Sequence, residues 1–449
     1  TVSVPGAITV VAVFAGGISL GAVESIAEPA ESGRAAVDLL GGLVDHSLVQ
    51  LDPRPSGEVR YLMLETIRDY GLEQLELRGE TDEARLAHAI CMMEISEEAE
   101  PHLTGSDQKA WINRLDPDTE NLRAAVDWSL EHGQEEITLR IGASNWRFCS
   151  IRGLAADCLN RLERAIAAPA CARSPYRATA LVGAGNLARD LHDLEKARNY
   201  FERGRQLANE TSNASDECHA MLGLGEVENA LGNYSAAMTW HQQAQALAHE
   251  IGDRRSVAMA IRNMAAAFRF HGRLDDAERC LTESRAILSE VGDTAAEAMA
   301  WSCLGFVSFK RGDFERAEEL LTQALELQRD VMASRDLPFT LVGLGQVWCR
   351  LGDFPRAQDA FTEAIALFRQ AANTVMGGVA LTGVAALKLY QDDLPQATTL
   401  VLESTRIVAR AGDQQGLLSN ADVLAAICSR SARHASAVEL VAAAAIRER

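Results

Sequence analysis

The sequence predicts a mainly α fold: a superhelix of helical hairpins repeating every 40 residues from about residue 175 onward, preceded by a small winged-helix domain. Three observations predict it. Turn strings align without a gap, as LHDLEKA (191–197), LGNYSAA (231–237), HGRLDDA (271–277), RGDFERA (311–317), LGDFPRA (351–357) and YQDDLPQA (390–397). Two sets of small residues follow the same grid. The first hundred residues have a different texture, in which a helical pattern gives way to two apolar runs around a Pro-containing turn.

In the array, the closing Ala recurs at 197, 237, 277, 317, 357 and 397, and Ala437 continues the grid. Twelve residues earlier stand Gly185, Gly225, Ala265, Gly305, Gly345, Ala385 and Ala425. Such positions stay small where the two helices of a hairpin cross, because a larger side chain would hold the backbones apart. Gly232, Gly272, Gly312 and Gly352 end the first helix, where a positive φ costs least in glycine. The next Asp, Asn or Arg starts the turn, and a Leu or Phe then packs the second helix. Gly252, Gly292 and Gly412 close second helices. A hairpin cannot bury its own apolar face, so neighbours must stack around a continuous core. Exact periodicity argues against the alternative, a plain bundle of long helices. Seven regular hairpins are expected, with turns near 192, 232, 272, 312, 352 and 392 and a last hairpin closing around 431. Before them, 118–132 reads as a helix, and 135–150 with 155–167 as an irregular hairpin around Gly153.

In the opening segment, AAVDLLGGLVDHSL (35–48) has Leu39, Leu40, Leu43 and Val44 at helical spacing. Residues 47–51 turn extended, DPRPSG is a turn cluster, and EVRYLML returns as a strand, giving a hairpin. ETIRDYGLEQLELR (65–78) is a helix ended by Gly79. Helices followed by a two-stranded wing make a winged-helix module; an unclassified small α+β domain fits the same pattern. The boundaries expected are 1–84 for this domain, 85–174 for a helical linker with the irregular hairpin, and 175–449 for the repeats.

Composition narrows the function. Formal net charge is −20, and the first hundred residues carry 18 Asp or Glu against 6 Arg, which gives −12. Binding nucleic acid depends first on neutralising phosphates with Lys and Arg, so direct nucleic-acid binding is not expected, and anionic membranes are disfavoured likewise. No apolar run reaches the roughly 20 residues of a membrane helix. The apolar start TVSVPGAITVVAVFAGGISLG lacks a basic leader and reads as folded. An interior position in a larger protein would account for the absent starting Met, as would processing. The nine Cys are scattered without a CxxC pair, which suits buried thiols in a reducing cytoplasm better than a disulfide framework.

The string Trp301-x₂-Leu304-Gly305, followed by Ala317 and Ala324, resembles the tetratricopeptide pattern with its period lengthened from about 34 to 40. Three further groups of residues carry a wider resemblance. The first is Val13-Phe14-Ala15-Gly16-Gly17 with Leu39-Leu40 and Leu43-Val44-Asp45-x-Ser47-Leu48-Val49. The second is Met63-Leu64-Glu65-Thr66-Ile67-Arg68-x-Tyr70. The third is Pro101-x-Leu103, Trp111 and Glu120-Asn121-Leu122-Arg123-Ala124-Ala125. Together they resemble the C-terminal part of bacterial signal-transduction ATPases with numerous domains (STAND), including AfsR-like and LuxR-type transcriptional regulators. That resemblance covers nearly the whole chain. It implies a nucleotide-binding domain, a winged helix that couples nucleotide state to a sensor, and then the array. This sequence departs from it in having no GxxxxGK[ST] and no closing helix-turn-helix; AVELVAAAAIRER resembles the last array helix. An excised fragment or a stand-alone descendant would read this way. The candidate recognition helix holds Asp38 and Asp45 without Lys or Arg, which suits an intramolecular role.

No catalytic constellation emerges. The ten His form no HExxH and no Cys/His cluster, and no GxSxG occurs. His192 and His271 fall at helix ends; Asp275-Asp276 and Asp392-Asp393 fall at turns, where capping explains them; burial explains Cys149 and Cys158. No enzyme activity, cofactor or metal is expected. By tetratricopeptide geometry, the face of the first helices that looks into the groove carries Arg189, Arg262, Arg269, Lys310 and Arg350 with Phe270, Phe306 and Phe309 between them, and Asp190 and Glu226 near its start. Arg in a concavity suits a carboxylate and the rings suit apolar contact, so the expected occupant is a protein segment or small anionic effector. Cations that merely keep the face wet, and rings packed between repeats, would show the same pattern. Two functions remain: a sensor and regulatory module, partnered by the nucleotide-binding domain of a longer protein if one is present, or a scaffold without a switch.

Overall fold

The computed structural model describes residues 9, 11–26, 32–53, 59–333 and 335–431. Ala437, the C-terminal helix expected at 437–449, most of DPRPSG and the first eight residues lie outside them. The chain divides into two units, residues 1–147 with 160–180, and residues 148–159 with 181–449.

The first unit opens on β1 (Ile18–Ser19), α1 (Leu20–Ile26) and α2 (Ser32–Asp45), continues through β2 (Val49–Pro53) and β3 (Val59–Met63), and reaches α3 (Glu65–Arg78) and α4 (Thr81–Ala99). The expected hairpin forms, with Leu51 opposite Tyr61, and β1 adds a third antiparallel strand on the other side of β3. This βααββ arrangement is winged-helix-like. Helix α2 starts three residues before the expected 35 and therefore takes in Arg34, so the absence of Arg held only for the shorter span. Gly79 ends α3 at φ 71°, accepting the left-handed turn as expected. Next come α5 (Gln108–Leu115) and α6 (Thr119–Glu131).

The motif strings quoted above meet in this unit. Arg60, fully buried on β3, donates to both carboxylate oxygens of Asp118 at 3.0 and 2.6 Å and to the Gly17 carbonyl at 3.0 Å. Asn121 accepts from the Gly16 amide and donates to Gly17 and Asp118. Phe14 is buried with Leu122 and Ala125, and Arg68 reaches the Ala12 carbonyl. The Gly-Gly pair permits this approach, since a Cβ on Gly17 would stand 2.5 Å from the Leu62 side chain.

Helices α7 (Glu135–Ile151) and α8 (Ala155–Ala167) form the irregular hairpin, whose turn at 148–159 clusters with the array. Cys149 and Cys158 are joined there in a disulfide, contrary to the expectation of free thiols. A short turn lays the two helix ends side by side, and their Cα atoms stand 6.5 Å apart, within bridging range. The other seven cysteines are not in disulfides.

Six complete hairpins follow: α9 (Arg177–Asp190) with α10 (Leu194–Glu210), α11 (Ala214–Ala230) with α12 (Tyr234–Ile251), α13 (Arg254–Phe270) with α14 (Leu274–Val291), α15 (Thr294–Arg311) with α16 (Phe314–Asp330), α17 (Leu337–Leu351) with α18 (Phe354–Gln370), and α19 (Thr374–Tyr390) with α20 (Leu394–Arg410). Helix α21 (Gln414–Ser431) begins a seventh. Ala197, Ala237, Ala277, Ala317, Ala357 and Ala397 are all fully buried. Asp193, Asp313, Asp353 and Asp393 cap the second helices through the amide three residues on. Asp275 and Asp276, expected as caps, instead pair with Arg311 and Arg273.

Why the small anchors must be small is specific. A Cβ on Gly185 would meet the Phe201 ring at 2.7 Å, one on Gly225 the His241 ring at 2.3 Å, and one on Gly345 the Phe361 ring at 2.7 Å. Each large residue lies four places after the closing Ala, and Phe361 also fills the space beside Gly383 in the following repeat, locking two repeats together. Among the described residues, no helix is long and apolar enough to cross a membrane.

Candidate groove and polar seam

The series just described runs Phe201, His241, Leu281, Leu321, Phe361 and Val401, each fully or almost fully buried. One member is polar. The His241 ring is held at Nε2 by Asn229, 3.2 Å away, and Asn229 also donates to the Asn263 carbonyl. Burial, helped by the nearby Arg262 cation, lowers its pKa to about 3, so the ring is neutral at physiological pH. This 40-residue series was readable in the sequence, and its polar member marks where a polar seam begins.

The seam continues through the first helices. Arg189, near the end of α9, pairs with Asp190 at 2.9 Å and with Glu226 of α11. Glu226 also meets Arg262 of α13 at 3.5 Å and accepts from Asn263 at 2.8 Å. Arg335, just before α17, contacts Asp190 at 3.3 Å and Asp336 at 2.7 Å. Ser150 donates to Asp190 at 2.5 Å. Three guanidinium groups thus face three carboxylates. Burial works against the charge on Arg189 and Arg262 and lowers both pKa values. For Asp190, burial opposes ionisation, but Arg335, Arg189 and Ser150 outweigh it and hold the carboxyl below its usual range. For Arg335, burial is likewise outweighed, here by Asp336 and Asp190, and its pKa is raised. The seam is an internally neutralised network, suited to holding and orienting.

The sequence-predicted groove residues separate into two groups. Arg189 and Arg262 belong to the seam, joined through Glu226. The others lie near the C-terminal ends of the first helices. Arg269 stands 6.0 Å over the Phe306 ring, and Phe306 also packs against Gly343 of the next repeat. Phe309 is half-buried against Phe314, with ring centroids 5.6 Å apart. Phe270 is 55% exposed and stacks on Tyr234 at 4.1 Å. Lys310 and Arg350 are exposed, and the Arg350 guanidinium lies near the Phe314 and Tyr390 rings at 5.8 and 6.0 Å. Phe270, Lys310, Arg350 and Tyr390 take the same position in successive first helices, 40 residues apart, and form one strip of two cations between two rings. Sequence reasoning missed Ser150 in the last turn of α7, Arg335 and Asp336 just before α17, and Asn373, which caps α19 at the 40-residue spacing of Asn213, Asp253 and Asp293. Among the described residues, no group of three or more His, Cys, Asp or Glu could hold a metal ion.

Comparison with known proteins supports the array. The family model for the tetratricopeptide repeat matches residues 216–290 and 296–370. Proteins named as HTH-type transcriptional regulators in Mycobacterium bovis and Mycobacterium tuberculosis are 34% identical over 135 residues, 29% of this chain and 15% of theirs. The chain thus matches only a small part of those relatives' length. The solved structure of a Rap protein complexed with Competence and Sporulation Factor aligns with a TM-score of 0.56 at 14% identity, covering 79% of this chain and 97% of that one. A STAND protein with a tetratricopeptide repeat sensor from Pyrococcus horikoshii aligns at 0.51 with 14% identity, covering 99% of this chain and 62% of that one. These two likenesses are of fold.

Proposed function

We propose that the chain is a ligand- or protein-binding regulatory module of a signal-transduction transcriptional regulator, in which the array takes up an acidic, partly apolar peptide segment. The observation that carries this reading is the strip of Phe270, Lys310, Arg350 and Tyr390, flanked by Arg269. In a chain with net charge −20, a regular exposed row of cations and rings needs a reason. Cations at helix C-termini complement the dipole, but that role does not call for rings beside them. Rings stacked beside guanidinium groups offer apolar contact and leave the cations free to grip carboxylates. The Rap structure was solved with Competence and Sporulation Factor, and the Pyrococcus horikoshii structure has a tetratricopeptide repeat sensor; both lend support by analogy. The resemblance to STAND regulators adds the nucleotide-binding domain of a longer protein as the element to which the signal passes through the winged-helix-like unit.

The test is binding of a fluorescein-labelled acidic peptide of alternating glutamate and phenylalanine, followed by anisotropy. Arg269→Glu combined with Lys310→Glu should weaken binding at least about 100-fold, on the scale of two charged hot-spot contacts, with the far-ultraviolet signal unchanged. Equal affinity in the double variant refutes the strip. The alternative, a scaffold holding partners without a switch, predicts the same binding with no change in the rest of the chain.

A further inference from the structure

Several contacts in the array join residues much farther apart in sequence than neighbouring repeats. Arg335 touches Asp190, 145 residues away, and also Ser150 at 3.3 Å. The Arg335 amide donates to the Ile151 carbonyl, and Arg152 reaches the Met332 carbonyl at 3.5 Å. Asn373 donates to the Asp190 carbonyl at 2.8 Å across 183 residues. Ile151 packs on Ala295, Val331 and Ala333. The C-terminal ends of α7 and α9 are therefore pressed against the segments that precede α17 and α19. The superhelix closes on itself there.

We propose that these residues form a clasp that opens when the array takes up its anionic partner, with the partner's carboxylates competing with Asp190 for Arg335. The proposal rests on the partner-binding reading above. The kind of contact supports it. Neighbouring repeats are held by buried helix faces, with rings such as Phe361 set between glycines, and a stack of that kind stays folded on nearest-neighbour contacts alone. The clasp instead consists of bonds to helix-end and turn carbonyls, one isoleucine side chain against two alanines and a valine, and ion pairs. Its opening therefore leaves every hairpin intact. Asp190 and Arg335 are the outer members of the seam that runs through Arg189, Glu226 and Arg262, so charge arriving at the seam bears directly on the clasp.

Hydrogen exchange read by mass spectrometry on the full chain follows the clasp at segments 148–154 and 331–339. Arg335→Glu sets a carboxylate against Asp190 and should raise exchange in both segments together by about tenfold or more, with α11 to α14 unaffected. Ile151→Asp attacks the same closure without touching Arg335 and should do likewise. Unchanged exchange in both variants overturns the clasp. With wild type, saturating the same glutamate–phenylalanine peptide should raise exchange in both segments. Peptide binding without that rise overturns the clasp and leaves the partner-binding reading standing. A peptide that fails to bind refutes that reading, and the two variants then decide the clasp alone.

Discussion

Asp118→Ala removes the carboxylate that neutralises Arg60. In the folded chain that guanidinium is fully buried and makes two bonds to Asp118 and one to the Gly17 carbonyl. The substitution leaves a buried cation with one neutral acceptor, and Asn121 loses one of its two acceptors. Breaking a buried pair from one side costs about 3–5 kcal/mol, because the stranded charge remains desolvated. Removing both charges together, as Arg60→Met with Asp118→Leu, should cost less than about 2 kcal/mol, since no charge is then buried alone. Urea titration of the full chain, read by exchange of the α6 amides, measures the loss in this unit. A loss below about 1 kcal/mol for Asp118→Ala, or a double variant worse than the single, would refute the account of how these strings are tied together.

The array offers three further tests. Ala317→Leu forces a larger side chain into a fully buried crossing and should cost about 1–3 kcal/mol in urea titration; a neutral result would mean the crossing is not close-packed. His241 has a folded pKa of about 3 against 6.5 unfolded, so the unfolded chain binds more protons below 6.5; the stability from its neutral ring is complete above that pH and declines as pH falls toward 3. At pH 5 the array should have lost about 2 kcal/mol relative to pH 7.5, and His241→Leu, matching Leu281 and Leu321, should remove that slope. His88, lowered to about 4 by burial and the Arg85 cation, gives the first unit the same direction of dependence, so the His241 variant must be read in the array. Thiol titration of the denatured, unreduced chain should count seven groups, and nine after reduction. A count of nine without reductant would remove the disulfide from the turn at 148–159.

What local sequence controls was legible. The hairpin grid, the left-handed glycines and the capping Asp residues act within a few residues of themselves. The Val49–Pro53 and Val59–Met63 hairpin was legible for the same reason, since alternation and a turn fix it locally. Strand β1 was not, because a two-residue strand has no period and exists only where β3 offers an open edge. The candidate cations were found by position, but their partners were not. Arg189 and Arg262 share Glu226 because α9, α11 and α13 lie side by side, whereas Arg350 reaches rings in the hairpins on either side of it. Cys149 and Cys158 read as separate buried thiols until the turn set them together. The meeting of Asp190 with Arg335 and Asn373 is farthest from the sequence. Each repeat contributes a small rotation, and only their sum over four to five repeats decides which loop comes back to face the first hairpins. The sequence by itself determined the repeat and its core; the accumulated winding, which no single repeat encodes, decided which charges meet.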